Sequence, residues 1–116
     1  MNTMLGRVGW IVLVVINGLM LLNHLIGIAV IAASSDERQM FVGYAATTAL
    51  GLLVLLFAYR SRARWAWWAS WIPAVAIFVV LFISGIGPIG IWYGITAGVM
   101  ALAQLATARE FFGKAA

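Results

Sequence analysis

Residues 8–33 read VGWIVLVVINGLMLLNHLIGIAVIAA, a run of 26 residues without Asp, Glu, Lys or Arg. A helix needs about 20 residues, each rising about 1.5 Å, to cross roughly 30 Å of bilayer hydrocarbon. The run also exceeds the apolar core of a signal peptide, which is about 7–15 residues long. We therefore expect a membrane-spanning helix here rather than a cleaved leader.

Three further apolar runs of similar length follow, at residues 40–59, 65–84 and 89–109. Short polar or glycine-rich breaks at 34–39, 60–64 and 85–88 separate them. None of the runs alternates in polarity as the strands of a membrane barrel do. The sequence therefore predicts an all-α fold, in which residues 1–116 form a single transmembrane domain, a four-helix bundle.

The composition of the chain supports the same class. Of its 116 residues, 66% are hydrophobic and 9% are charged, whereas a soluble domain has about 25% charged residues. Disordered chains combine low hydrophobicity with high charge, so they are excluded too. The chain has no cysteine, which removes disulfides, thiolate metal sites and cysteine nucleophiles.

The basic residues predict the orientation of the bundle. Six of them lie on one side of the predicted helices and only Arg38 lies on the other; the six are Arg7, Arg60, Arg62, Arg64, Arg109 and Lys114. Because cytoplasmic loops are enriched in Lys and Arg, both termini should be cytoplasmic, in the inner (plasma) membrane. This asymmetry also accounts for the positive net charge, so we expect no nucleic-acid partner, which would require an exposed basic domain.

Arginines and tryptophans cluster at the start of the third run. Amphipathic rings and snorkelling arginines favour the headgroup level, so we expect these residues to anchor the chain at the membrane interface. An aromatic cage is the alternative interpretation of the tryptophans. The predicted anchors are Arg60, Arg62, Arg64, Trp65, Trp67, Trp68 and Trp71.

Two ridges of small residues predict close helix packing, either within the chain or between subunits. One ridge is Gly43, Thr47 and Gly51, and the other is Gly90, Gly94 and Gly98.

Three further predictions concern single positions in the chain. Pro73 should kink the third helix because it leaves the carbonyl of Ala69 without a donor. Ser70 and Gln104 should make helix–helix contacts, and Ser34 with Glu37 matches a capping box.

The apolar runs contain no carboxylate, lysine or arginine within their interiors. Membrane-embedded ionisable residues mark proton and ion routes, so a proton-coupled exporter or a charged channel filter is disfavoured. A lone histidine without an acid, a cysteine or a second histidine also lacks an orienting partner for catalysis. We therefore assign no catalytic residue and no metal ligand.

The embedded histidine, His24, shares a helical face with Asn17, Met20 and Gly27. Other polar side chains fall at a similar predicted depth in the outer half of the membrane. A neutral, hydrogen-bonded and purely structural His24 is the first interpretation. The second is a pocket for a lipid, a quinone or another apolar molecule, and the third is haem or chlorophyll ligation. The candidate ligand-binding cluster is His24, Asn17, Asn23, Tyr44, Thr48, Tyr93 and Thr96.

The layout of the chain resembles that of DoxX-like small bacterial membrane proteins. The resemblance is carried by His24 late in the first helix, by the glycine ridges, and by Arg-Ser-Arg-Ala-Arg-Trp-Ala-Trp-Trp at 60–68. It implies an accessory or quinone-linked role, since founding members of that group are associated with membrane quinone oxidoreductases. It implies no catalytic residue.

Our leading hypothesis from sequence is a non-catalytic accessory or structural subunit of a bacterial inner-membrane complex. Such a subunit would contact the bilayer, other membrane subunits or a second copy through its helix faces, and would need no cofactor. One alternative is a binder or carrier of a lipophilic molecule, such as a lipid, quinone or haem, at the His24 cluster. Another is a small oligomeric transporter or channel.

Overall fold

A computed structural model describes residues 1–84 and 87–113, except for the side chain of Ser84. The described residues form helices without strands, which confirms the all-α prediction. Two of the helices end in a short π-helical segment. The helices are α1 (Met4–Ile26, extended by π-helical Gly27–Ile31), α2 (Ser35–Leu53, extended by π-helical Val54–Ala58), α3 (Arg64–Ala69), α4 (Trp71–Ser84) and α5 (Pro88–Phe112).

These helices make four segments long and apolar enough to cross a bilayer: Met4–Ile31, Ser35–Ala58, Arg64–Ile83 and Pro88–Phe112. Large apolar side chains cover the exterior of the bundle, which in water would be unfavourable but in lipid is the expected surface. The chain is therefore a small multi-pass membrane protein.

Capping residues set the starts of α1 and α2. The Thr3 hydroxyl accepts the backbone N–H of Gly6 at 3.0 Å, so α1 begins earlier than the predicted residue 8. The Ser34 hydroxyl accepts the N–H of Glu37 at 3.1 Å, and the Glu37 carboxylate accepts the N–H of Ala33 at 2.7 Å. This confirms the capping prediction, and it draws the polar residues 35–39 into α2 instead of a loop.

The third span is interrupted at Ser70, between α3 and α4. The N–H of Ser70 bonds to the carbonyl of Ala66 at 2.9 Å, and the next residue starts α4. Pro73 has no N–H to offer the carbonyl of Ala69, which explains why the helix breaks just before this point. The distortion predicted from Pro73 is therefore present, as a break centred three residues earlier.

The two π-helical segments were not predicted from sequence, because no residue pattern marks them. The segment Val54–Ala58 contains Leu55, whose carbonyl accepts a hydrogen bond from a side chain. The indole N–H of Trp10 on α1 donates to that carbonyl at 2.8 Å. The bond ties the end of α2 to α1.

Helix α5 packs on both α1 and α4. Gly9 allows the close approach of α1: a Cβ built there would lie 2.6 Å from the carbonyl oxygen of Ala103. Leu13 on α1 and Met100 on α5 are almost fully buried. Small residues on α1 thus bring two spans together, as helix packing in lipid requires.

One end of the bundle gathers both chain ends and the loop between α2 and α3. The Glu110 carboxylate accepts the backbone N–H groups of Asn2 and Thr3, at 3.1 and 2.7 Å, and the Thr3 hydroxyl at 2.7 Å. Arg62 lies 3.9 Å from the same carboxylate and donates to Asn2 Oδ1 at 2.6 Å. We call this the basic end; it carries Arg7, Arg60, Arg62, Arg64 and Arg109, while Lys114 lies outside the described residues.

Candidate functional site

A cavity of about 540 Å³ lies between α1, α2, α4 and α5, in the half of the bundle away from the basic end. Its wall is mostly apolar, with Met20, Phe41 and Val80 among the residues that form it. A volume of roughly 300–1,000 Å³ is typical of sites that bind small molecules. The cavity is therefore large enough for a substantial part of a lipophilic molecule.

Four polar residues of the predicted ligand-binding cluster line this cavity: Asn23, Tyr44, Tyr93 and Thr96. They come from three different helices, α1, α2 and α5. The Thr96 hydroxyl donates to the carbonyl of Trp92 on its own helix, at 2.8 Å.

His24 lies behind this wall rather than in it. Its ring centroid is 5.3 Å from that of Tyr44 and 6.4 Å from that of Phe41, two residues that line the cavity. The side chain is 1% exposed, and neither ring nitrogen has a hydrogen-bond partner among the described residues. The interpretation in which His24 is held by a hydrogen bond is therefore not what the structure shows.

The other two members of the predicted cluster, Asn17 and Thr48, are buried nearer the centre of the bundle. The Asn17 amide donates to the carbonyl of Leu13 at 2.9 Å, and the Thr48 hydroxyl donates to the carbonyl of Tyr44 at 2.9 Å. Asn17 Oδ1 has no partner among the described residues and lies against Gly51. Neither residue lines the cavity.

The residues around the cavity do not fit a haem group. His24 is the one histidine of the chain, and it is buried and does not line the cavity, although its ring lies near those of Tyr44 and Phe41, which do. The described residues also contain no group of three or more acidic or histidine side chains suited to a metal ion. An uncharged organic molecule fits this lining better than a metal-centred cofactor.

The predicted glycine ridges divide into packed and open positions. A Cβ built on Gly51 would meet Pro73 and Asn17, and one built on Gly94 would lie 3.5 Å from Leu81. Gly90 is buried as well. The Thr47 hydroxyl donates to the carbonyl of Gly43 at 2.9 Å. A Cβ on Gly43 or Gly98 would meet no atom within 4 Å, so each ridge has one open position.

The predicted interface anchors also divide. Trp65 and Trp68 are about 60% exposed at the basic end, together with the exposed Arg60 and Arg64. Arg64 lies over the ring of Phe112, and Arg62 pairs with Glu110. Trp71 is half-buried.

Trp67 differs from the expectation for an anchor because it is only 6% exposed. Its indole N–H donates to the carbonyl of Gln104 and to the hydroxyl of Thr107, each at 3.2 Å. Polar partners on α5 thus draw this tryptophan into the bundle, whereas its neighbours stay outside.

A buried polar network near the basic end was largely missed from sequence. The Gln104 amide donates to the carbonyl of Trp67 at 2.6 Å and to the Ser70 hydroxyl at 2.7 Å, which confirms the contact predicted for Ser70 and Gln104. The hydroxyls of Tyr59 and Thr107 also bond to each other. The position of Tyr59 at the border of an apolar run gave no sign that its side chain is fully buried.

No protein-family model matches this chain, and neither the curated proteins nor the solved structures include a significant match. The resemblance to DoxX-like proteins is therefore not supported by a family match. The structure supports a broader description, which is a small membrane protein with four long apolar spans.

Proposed function

We propose that this protein binds a lipophilic molecule in the cavity between α1, α2, α4 and α5. The observation that carries the proposal is the meeting of Asn23, Tyr44, Tyr93 and Thr96 in an otherwise apolar cavity of about 540 Å³. Sites for small molecules combine apolar walls with a few placed polar groups that fix orientation. The polar groups would hold the head of the molecule, and the apolar wall would cover its body.

The rim of the cavity supports entry from the bilayer. Ile31, Ile83 and Trp92 line the cavity and are also 58%, 74% and 70% exposed on the exterior of the bundle. Because these exposed side chains are apolar, the opening is continuous with the lipid-facing surface. A molecule dissolved in the membrane would reach the site without crossing water, and both a lipid and a quinone meet this description.

A photoreactive lipid tests the proposal. An uncharged glycerolipid with a diazirine in its acyl chain should cross-link to the segments around Tyr44 and Tyr93. Thr96→Trp, which places an indole in the cavity, should remove those cross-links. Thr47→Trp is the matched control, because Thr47 has the same bond to its own helix but does not line the cavity. Cross-links that are uniform over the exterior and unchanged in Thr96→Trp would refute the proposal.

A second candidate is an accessory or structural subunit of an inner-membrane complex. The open positions at Gly43 and Gly98 favour it, as does a groove of about 230 Å³ between α4 and α5 that includes Gly94, Gly98 and Ala101. Small residues on an exposed helix face let another helix approach closely. Gly98→Leu should then reduce association in native membranes, whereas Gly18→Leu, at an open position outside both ridges, should not.

We also infer that both termini face the cytoplasm of a bacterial cell. Five basic residues lie at one end of the bundle, and Arg38 lies near the start of α2 at the other end. The bias of Lys and Arg toward cytoplasmic loops supports this orientation. The cavity would then open in the outer half of the inner membrane.

A further inference from the structure

We infer that the cavity selects a lipid with an uncharged, hydroxyl-bearing head, of the diacylglycerol class, and excludes phospholipids with an anionic head. This inference rests on the proposed function, since it names the class of molecule that the same cavity takes. Three features of the described residues support it: the charge of the lining, its hydrogen-bonding capacity and its aromatic walls.

The first feature is charge. The described residues that line the cavity include no Asp, Glu, Lys or Arg. The nearest basic residue along α2, Arg38, lines a separate groove with Ser35, Gln39 and Val42. A phosphate placed in the cavity would lose its hydration without gaining a cationic partner, which is strongly unfavourable. A neutral head avoids this cost.

The second feature is the balance of donors and acceptors. The Asn23 amide offers both kinds of group, and the hydroxyls of Tyr44 and Tyr93 can each donate and accept. Thr96 has already used its hydrogen on the carbonyl of Trp92. A lipid hydroxyl both donates and accepts, so it can pair with the donors and the acceptors of the lining. A head that contains only esters has no donor, so it can pair only with the donors of the lining. The lining therefore matches an alcohol better than a fully esterified lipid.

The third feature is the aromatic wall. Phe41, Tyr44, Trp92 and Tyr93 come from α2 and α5 and line one cavity. Aromatic side chains offer broad apolar faces together with polar edges or tips, which suits the region where a glycerol backbone joins its acyl chains. Such a wall provides packing without charge.

Three lipids that share the same acyl chains test the inference. They are 1,2-dioleoylglycerol, its acetylated form without a free hydroxyl, and dioleoyl phosphatidate with an anionic head. The purified chain in detergent would be titrated with each lipid, and occupancy would be read by native mass spectrometry. We expect dioleoylglycerol to bind at least tenfold more tightly than phosphatidate, and several-fold more tightly than the acetylated form.

Variants identify the groups responsible. Tyr93→Phe and Asn23→Leu should each weaken dioleoylglycerol binding by about two- to tenfold, the effect of losing one hydrogen bond. Thr47→Val removes a hydroxyl outside the cavity and should leave binding unchanged. Equal or tighter binding of phosphatidate, or no effect of either cavity variant, would overturn the inference while leaving a lipid-binding site in place. If Thr96→Trp changed the occupancy of no lipid, the proposed function itself would fail.

Discussion

The ring of His24 lies 5.3 Å from that of Tyr44, tilted by 31°, and Tyr44 lines the cavity whereas His24 does not. The buried imidazole therefore lies beside a residue of the cavity wall and is not itself part of that wall. Neither nitrogen of that imidazole has a partner among the described residues. A polar group buried in this way costs stability, and its effect can be measured.

We predict that His24→Leu stabilises the ligand-free protein. Replacing an unpartnered polar side chain by an apolar one of similar size should raise the free energy of unfolding by about 1 kcal/mol. Thermal or SDS unfolding in micelles, followed by circular dichroism, measures the change. Leu25→Val, on the exposed neighbour of His24, should stay within about 0.5 kcal/mol of the native protein. A loss of about 2 kcal/mol in His24→Leu would mean that the imidazole has a bonded partner.

The buried network around Gln104 predicts that a substitution there lowers the free energy of unfolding, whereas His24→Leu raises it. Gln104→Leu removes a donor to the Trp67 carbonyl, which keeps the Ser70 hydroxyl as its other donor, and removes the donor to the buried Ser70 oxygen. The free energy of unfolding should fall by about 1–3 kcal/mol. Leu105→Met, on the adjacent exposed position, is the control and should be nearly neutral. Equal stability of Gln104→Leu and the control would show that the network contributes nothing to folding.

Substitution by alanine should change the free energy of unfolding differently at two glycines, because one is tightly packed and the other is open. Gly9→Ala would place a Cβ 2.6 Å from the carbonyl oxygen of Ala103, so α1 and α5 must separate. We expect a loss of about 1–3 kcal/mol in the free energy of unfolding, typical of overpacking. Gly43→Ala meets open space and should be neutral or slightly stabilising. If the two variants unfolded alike, the packing of α1 on α5 described here would be incorrect.

The orientation can be tested by cysteine labelling because the chain has no native cysteine. Ser61→Cys lies at the basic end and Ser35→Cys at the opposite end, and both positions are exposed. In intact bacterial cells, a membrane-impermeant maleimide should label Ser35→Cys and reach Ser61→Cys only after lysis. The reverse pattern would place the termini outside.

The four spans could be predicted from the sequence, because apolar runs of about 20 residues without charge are typical of membrane-spanning helices. The same reasoning predicted a distortion at Pro73 but not its position at Ser70, and it missed the early start of α1, which depends on the bond from the Gly6 N–H to the Thr3 hydroxyl. The spacing of apolar residues carries no information about such bonds. Element boundaries therefore shifted by a few residues, while the number of spans did not.

Which residues of the candidate cluster lie together could be predicted only in part, for a related reason. Depth along each helix placed Asn23, Tyr44, Tyr93 and Thr96 at one level, and the structure brings all four to one cavity. Depth does not determine which way a helix is rotated, so it could not show that His24 lies behind Tyr44. Trp67 shows the same limit, because its burial depends on Gln104 and Thr107 facing it from α5.

Occupancy of the cavity by a lipophilic molecule is the proposal on which the choice of lipid class depends. Native mass spectrometry of the purified chain measures that occupancy, by comparing the native protein with Thr96→Trp and Thr47→Trp. We predict a bound lipophilic molecule of one defined mass in the native protein and in Thr47→Trp, and at least a tenfold lower occupancy in Thr96→Trp. The same bound species at equal occupancy in all three proteins, or none in any of them, would refute the proposal.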